Sequence, residues 1–555
     1  MKKPVIIDGL FLFIDGGLPT KPFPNYSKFV ANQITMNQII KTIAFKIITV
    51  LFLSIIITSC LQEKTLDLNK ANLIPKPLEV EATSRVFELT ENTNIYIQNK
   101  DQELLKIGQY LADKLNPSTG YKIRVLIAKK KPKADYIFLS LSSNKKLGDE
   151  GYELDITKKG VLLQANNPAG LFRGIQTFRQ LLPADVEKKN LQSVPWEIAT
   201  GKITDYPAYA YRSAMLDVVR HFFSVDDVKH YIDLLAAYKI NTLHLHLSDD
   251  QGWRIEIKSW PELTKIGGSS EVGGGKGDFY TQEQYKEIVR YANDRYITII
   301  PEIDMPGHTN AALASYAKLN CDGKKKELYT GTDVGFSSLC THKEITYQFI
   351  DDVIRELSAM TTGDYIHIGG DESHSTPMED YIPFILKVQN IVESHGKKVM
   401  GWDEIANTHL KPNTIVEFWA IKENALKAIE QDAKIIMAPG YKTYLDMQYD
   451  STTPLGLHWA GYVSVEDAYN WDPDTLVPGI KRSNIIGIES PLWTETITNR
   501  DELEYMVFPR IIGHAEIGWT PANQRKWDEY KVRLQKHSER LDAMGINYFQ
   551  WDNKQ

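Results

Sequence analysis

From about residue 210 the chain repeats one unit: a short apolar run of strand length followed by an amphipathic helical segment. The apolar runs are YRSAMLDVV, NTLHLHLS, YITIIPEID, DYIHIGG, KVMGWDE, TIVEFWA, KIIMAP and NIIGIESPLW. Between them, VDDVKHYIDLLAAYK, EQYKEIVRYANDR and KEITYQFIDDVIRELSAM carry apolar residues at helical spacing. Strands separated by helices must run parallel, because each crossover returns the chain to the same end of the sheet. Eight such units over about 300 residues predict a closed (β/α)8 TIM barrel. An open doubly wound sheet is the competing architecture, but no glycine-rich phosphate loop follows an early strand.

The barrel places its active site at the C-terminal ends of its strands. Polar and aromatic residues gather at those positions. Asp249 and Asp250 follow the second run, His308 the third, and Asp371 and Glu372 the fourth. Trp402 and Trp419 end the fifth and sixth, and Trp493 and Glu495 the eighth. Core packing does not explain one chemistry recurring on most of the strands.

Residues 72–205 read differently, as a smaller α+β domain ahead of the barrel domain at 206–555, whose last part is helical. NIYIQ, KIRVLIA and YIFLSLS alternate as strands do, GYELDITKKGVLLQA reads as a hairpin, and ELLKIGQYLADKL has helical spacing. NNPAGLFRGIQTFRQLL reads as a helix with Pro168 near its start. Nothing in this stretch collects catalytic groups. A net charge of −7 argues against nucleic acid as a partner. The 11 Trp and 28 Tyr suit either a core or the stacking of sugar rings.

In HIGGDESHS, Asp371 and Glu372 stand side by side behind two glycines. Consecutive side chains on a regular strand face opposite ways, so the two share a pocket only if the strand ends there and the backbone turns. Gly369 and Gly370 permit that turn. Paired carboxyls suggest glycoside hydrolysis, yet retaining enzymes hold acid and nucleophile roughly 5 Å apart across the bond. Neighbouring residues, with Cα atoms about 3.8 Å apart, approach from one side. That suits an acid and a helper, and the nucleophile must then come from elsewhere; a 2-acetamido group on the substrate is one group able to supply it.

HIGGDE resembles the signature of glycoside hydrolase family 20, the β-N-acetylhexosaminidases. YRSAMLDVVRHFF, HLHLSDDQGWRIEI, PEIDMPGH, GWDEI, YLDMQY and PLWTE are similar to that family's motifs, in its order, over residues 206–520. NNPAGLFRGIQTFRQLL resembles its non-catalytic N-terminal domain. The resemblance implies an exo-acting, retaining enzyme that removes terminal β-linked N-acetylhexosamines and needs no cofactor. It implies Glu372 as general acid and base, and Asp371 as the group that orients the acetamido nitrogen. Tyr444 would contact the acetamido oxygen, and Trp402, Trp419 and Trp493 would wall the pocket. Arg212, Asp446 and Glu495 would bind ring hydroxyls, and Asp249 and His308 would form a polar chain to Glu372.

Each assignment has a structural alternative: Arg212 paired with a structural acid, Trp493 in the core, His308 capping the next helix. His244 and His246, two apart on one strand face, fit a metal-dependent amidohydrolase barrel. That reading needs further inward histidines on later strands, whose ends offer carboxylates and tryptophans instead. A non-catalytic sugar-binding protein on the same barrel would have no use for an acid.

Residues 1–60 read as an extension and a secretory signal. Lys41 and Lys46 precede an apolar run that closes with ITSC. That ending resembles the bacterial lipobox, which implies lipid on Cys60, a tether at 61–71, and an exported, periplasmic or outer-membrane-anchored product. Cys321 and Cys340 then remain, spaced to close a disulfide loop on the catalytic face or to stay as two separate thiols.

Overall fold

The computed structural model describes residues 26–59 and 64–552. Cys60 lies outside the described residues. The chain divides into two units, 1–64 and 65–555. In the first, a helix runs over Tyr26–Ser59. Among the described residues no helix is long and apolar enough to cross a membrane.

The second unit begins with a seven-stranded sheet. Its strands are β1 (Glu79–Glu88), β2 (Asn94–Ile97), β3 (Val125–Ile127), β4 (Tyr136–Leu141), β5 (Tyr152–Thr157), β6 (Gly160–Ala165) and β7 (Glu197–Asp205). Their order is β1-β7-β5-β6-β4-β2-β3, with β5 and β6 forming the antiparallel hairpin. Two helices pack on this sheet and on each other. The helix Gln102–Thr119 is capped by Asp101, whose side chain accepts from two backbone N–H groups, and stops at Gly120 in the left-handed region. The helix Pro168–Leu181 starts on its proline, where the missing N–H costs no bond. Neither β1 nor β7 shows in the sequence pattern. β1 is a largely solvated edge strand, and β7 buries Thr200, Gly201 and Thr204 rather than alternating apolar residues.

The barrel strands are β8 (Tyr211–Asp217), β9 (Thr242–His246), β10 (Thr298–Glu302), β11 (Tyr365–His367), β12 (Lys398–Trp402), β13 (Ile415–Phe418), β14 (Lys434–Met437) and β15 (Ile485–Leu492). All eight lie within the apolar runs of the sequence, and parallel pairing of β15 with β8 closes the barrel. Helices at Val225–Ala237, Gln282–Asn293 and Glu344–Met360 return the chain, the first two opened by capping boxes at Ser224 and Thr281. Of the long connections that leave the C-terminal rim, those after β10 and after β14 line the site. The first contains the Cys321–Cys340 disulfide, which closes a ring worth about 3 kcal/mol in the chain-entropy model.

A buried polar joint links the sheet to the barrel. Glu150 receives Arg212 at 2.7 Å and Arg173 at 2.8 Å, and Arg212 also donates to the Lys239 and Tyr209 carbonyls. Lys239 reaches Asp205 and the Tyr152 hydroxyl.

Candidate active site

The site is built on strand ends. His367 closes β11, and the chain turns at Gly369 (φ +64°) and Gly370 (φ +106°). A Cβ on Gly369 would lie 1.8 Å from Asp304 Oδ1, so no other residue fits there. Asp304 Oδ1 accepts from the Gly370 N–H at 3.1 Å, and the Tyr381 hydroxyl donates to the Gly370 carbonyl at 2.7 Å. Pinned in this way, the turn brings Asp371 and Glu372 into one cavity, Glu372 at φ +44°. A left-handed non-glycine residue at such a place costs energy that the surrounding bonds offset.

The cavity has a volume of about 320 Å³. Asp371, Glu372, His308, Arg220, Asp446 and Glu495 supply its polar lining; Trp402, Trp419, Trp459, Trp493 and Tyr444 supply its walls. Trp402 is fully buried, with its indole N–H on Glu302 at 2.9 Å. Trp419 lies nearly parallel to Tyr444, 6.4 Å away, and donates to Glu404 at 3.1 Å. Thr332 and Val334, from within the disulfide-closed loop, form part of the rim.

Electrostatics divide the carboxyls. Burial, then the charges of Asp304 and Glu372, push Asp371 well above the usual carboxylate range. Its Oδ1 is buried with no hydrogen-bond partner. Asp446 is pushed up by burial and by Glu495, and its Oδ2 is likewise unpartnered. Asp249 goes the other way: burial would raise it, but Arg220 at 2.7 Å and His308 at 3.0 Å hold it well below the usual range. His308 would be lowered by burial, yet Asp249 and Asp371 outweigh this and hold it well above an ordinary imidazole. Its Nε2 stands 3.5 Å from Glu372 and 3.7 Å from Asp371. Of the expected chain, the Asp249–His308 hydrogen bond is present, and His308 Nε2 faces Glu372 without a hydrogen bond to it.

The structure brings Trp402, Trp419, Tyr444, Asp446, Trp493 and Glu495 together around the pair, and it corrects Arg212. That residue lies at the N-terminal end of β8, away from the cavity, and pairs with the structural acid Glu150. The cavity arginine is Arg220, in the same motif but beyond the strand's C-terminal end, where it contacts Asp217 and Asp249 and lies over Trp493. Strand polarity within YRSAMLDVVRHFF was the signal that separates them. Trp459, 56% exposed at the rim, sits in the irregular connection after β14 and carries no sequence signal.

Breaking the Arg212 pair is expected to cost stability and spare catalysis. Burial would raise Glu150, but Arg212 and Arg173 outweigh it and hold the carboxyl at about 2. A depressed carboxylate contributes stability above its unfolded pKa of about 4.5, and that contribution fades as pH falls through about 2. Arg212→Met should thus lose on the order of 3 kcal/mol at pH 7 with kcat unchanged, and the deficit should shrink in acid. Denaturant titrations at both pH values check this.

The histidines of β9 point inward, but carboxylates engage them. His244 meets Glu489 at 2.7 Å and Glu302 at 3.1 Å; His246 meets Glu302 at 2.5 Å and Asp249 at 3.0 Å. One later strand does supply an inward histidine, contrary to expectation. It is His367, which with His244 and Glu417 brings ligand-type atoms within 4.8 Å of one another below the cavity.

A (β/α)8 barrel with a carboxyl pair on one turned strand end and an aromatic box beside it defines a glycoside hydrolase. The model of glycosyl hydrolase family 20, catalytic domain, matches residues 209–380 and 375–522, and that of the family's domain 2 matches 70–206. The chain belongs to glycosyl hydrolase family 20. It is similar to a β-N-acetylhexosaminidase of Cellulomonas fimi, 40% identical over 86% of this chain and 95% of the relative. A β-hexosaminidase of Porphyromonas gingivalis is 36% identical over 86% of this chain and 64% of its own. The GH20 β-N-acetylhexosaminidase structure of Streptomyces coelicolor superposes with a TM-score of 0.85 at 50% identity, covering 87% of this chain and 98% of that one. That of Streptomyces plicatus, in complex with Thio-NAglucal, gives 0.85 at 50% identity over 88% and 98%.

Proposed function

We propose that this chain removes terminal β-linked N-acetylhexosamine residues by substrate-assisted catalysis with retention. The observation that carries the reading is Asp371: a buried carboxyl with an unpartnered oxygen, one residue from Glu372, at an aromatic-walled cavity. A buried acceptor without a donor is costly unless a ligand supplies one. The acetamido N–H is such a donor.

In this scheme Asp371 accepts that N–H and turns the acetamido oxygen toward C1. The oxygen attacks C1 while Glu372 protonates the departing glycosidic oxygen. The oxazolinium-like intermediate that results carries positive charge beside Asp371, which favours the aspartate anion despite burial. Glu372, now a carboxylate, takes a proton from water, which opens the ring at C1. Tyr444, held neutral by burial and the charges of Glu417 and Asp446, has a hydroxyl to donate to the acetamido oxygen. Trp402, Trp419 and Trp493 enclose the acetamido group and sugar face, while Arg220, Asp446 and Glu495 offer partners for ring hydroxyls. The cavity is near the lower end of small-ligand pockets, which favours one terminal residue over a chain in passage. A linear tetramer of β-linked GlcNAc should give monomer and trimer as first products; dimer appearing first would overturn the exo reading.

We also propose export with lipid on Cys60, supported by the charged start, the apolar run and ITSC. The Cys321–Cys340 bond suits an oxidising compartment. Mass spectrometry of the mature N-terminus should find acylated Cys60; an unmodified start downstream would refute this.

A further inference from the structure

The general acid is tied to more of the barrel than Asp249 and His308. The strand register sets Glu302, the last residue of β10, directly beside His246 on β9 and His367 on β11. In parallel strands, registered neighbours face the same side, so the three side chains meet inside the barrel. Glu302 is completely buried; it accepts hydrogen bonds from one imidazole, His246, and from one indole, Trp402, while two further imidazoles, His367 and His244, lie beside it. His246 Nδ1 lies at 2.5 Å, His367 Nδ1 at 3.0 Å, His244 Nε2 at 3.1 Å and Trp402 Nε1 at 2.9 Å. From His246 the hydrogen bonds continue, Nε2 to Asp249 Oδ2 at 3.0 Å and Asp249 Oδ1 to His308 Nδ1 at 3.0 Å; His308 Nε2 then faces Glu372 at 3.5 Å without a hydrogen bond in this structure.

We propose that Glu302 and His246 are positioning residues for the acid step, extending the chain behind Glu372 to four alternating imidazole and carboxyl groups. This rests on the reading of Glu372 as general acid. Glu302 accepts from His246 Nδ1, which fixes that ring so its Nε2 can donate to one oxygen of Asp249. The other Asp249 oxygen is thereby left aimed at His308 Nδ1, and His308 Nε2 at the acid. When Glu372 gives its proton to the leaving oxygen, the negative charge left behind faces an imidazolium whose orientation the chain has already set. The gain belongs to the moment of proton transfer, so it should scale with how much the leaving group needs that proton. The second oxygen of Glu302 holds the indole of Trp402, so one carboxylate serves both the pocket floor and the acid. His246 does not hold Trp402; its own contact with the pocket wall is an edge-on packing of its ring against Trp493.

The test separates the two tasks. His246→Asn should lower kcat for GlcNAc disaccharides by about tenfold or more, part of the 10²–10⁴ that general acid catalysis supplies in total. For a 2,4-dinitrophenyl glycoside, which leaves unprotonated, kcat should change less than about threefold, and affinity for GlcNAc should fall less than in Glu302→Gln. Glu302→Gln should show the same leaving-group dependence together with weaker GlcNAc binding, because Trp402 loses its anchor. Combining either change with His308→Asn should add little, since the chain is already cut. Equal losses on good and poor leaving groups, or full additivity with His308→Asn, would overturn the proposal. Should Glu302→Gln fail to fold, His246→Asn and its double variant decide the matter alone. Glu372→Gln is run alongside: if it lacks leaving-group dependence, the acid assignment has failed; if it shows it and His246→Asn does not, only the positioning role has.

Discussion

An aryl β-glucoside, with hydroxyl in place of the 2-acetamido group, should be turned over on the order of 10⁵-fold more slowly in kcat/KM than the matching β-GlcNAc glycoside. The factor follows from what the hydroxyl cannot do. An acetamido oxygen held against C1 is an intramolecular nucleophile, and well-oriented ones reach effective molarities of about 10⁵–10⁸ M. The glucoside leaves Asp371 with its buried oxygen still unpartnered and the space beside the tryptophans unfilled. A thiazoline analogue of the cyclic intermediate should in contrast bind far more tightly than substrate, as transition-state-like molecules do. Steady-state rates on the paired aryl glycosides check the point. Comparable turnover of both would mean that a protein carboxylate attacks C1 and that the adjacent pair is something other than acid and helper.

Glu372→Gln and Asp371→Asn should fail in different ways. Glu372→Gln removes the proton donor and should cost about 10²–10⁴ in kcat for a GlcNAc disaccharide, with most of the loss vanishing for a dinitrophenyl glycoside. Asp371→Asn retains volume but abolishes the anion beside the cationic intermediate, and places an amide where an acceptor is needed. Removing one preorganised group of that kind costs about 10²–10³, whatever the leaving group. Rates plotted against leaving-group pKa should therefore steepen for Glu372→Gln and shift bodily for Asp371→Asn. Identical slopes would show the division of labour to be wrong.

The barrel was legible in the sequence because each strand is buried on both faces and reads as an unbroken apolar run between amphipathic helices. The site was legible where it sits on strand ends: Asp371, Glu372, Trp402 and Trp419 all follow directly from a run. Arg212 shows where this stops. Two arginines eight positions apart flank one strand, and motif membership alone does not say which end faces the substrate. Polarity does, since only residues beyond the C-terminal end reach the cavity. Trp459 and the strands β1 and β7 were not legible. The first stands in a connection without periodicity, and the other two are stabilised by pairing with each other and with β5 rather than by an apolar face of their own.

The Glu150 joint bears on how the barrel can be engineered. Arg173, Arg212 and Lys239 sit at or beside the seam between sheet and barrel, and their carboxylate partners, Glu150 and Asp205, both come from the sheet side. Cutting the chain near residue 206 would strip Arg212 and Lys239 of their acids and uncover the seam they lie in, so the catalytic half is not a transplantable cassette. The sheet carries no reacting group, yet it acts as the barrel's counterion. Any chimera that swaps it must bring acids to those two positions, and any minimised version must first turn Arg212 and Lys239 into neutral residues of matching volume.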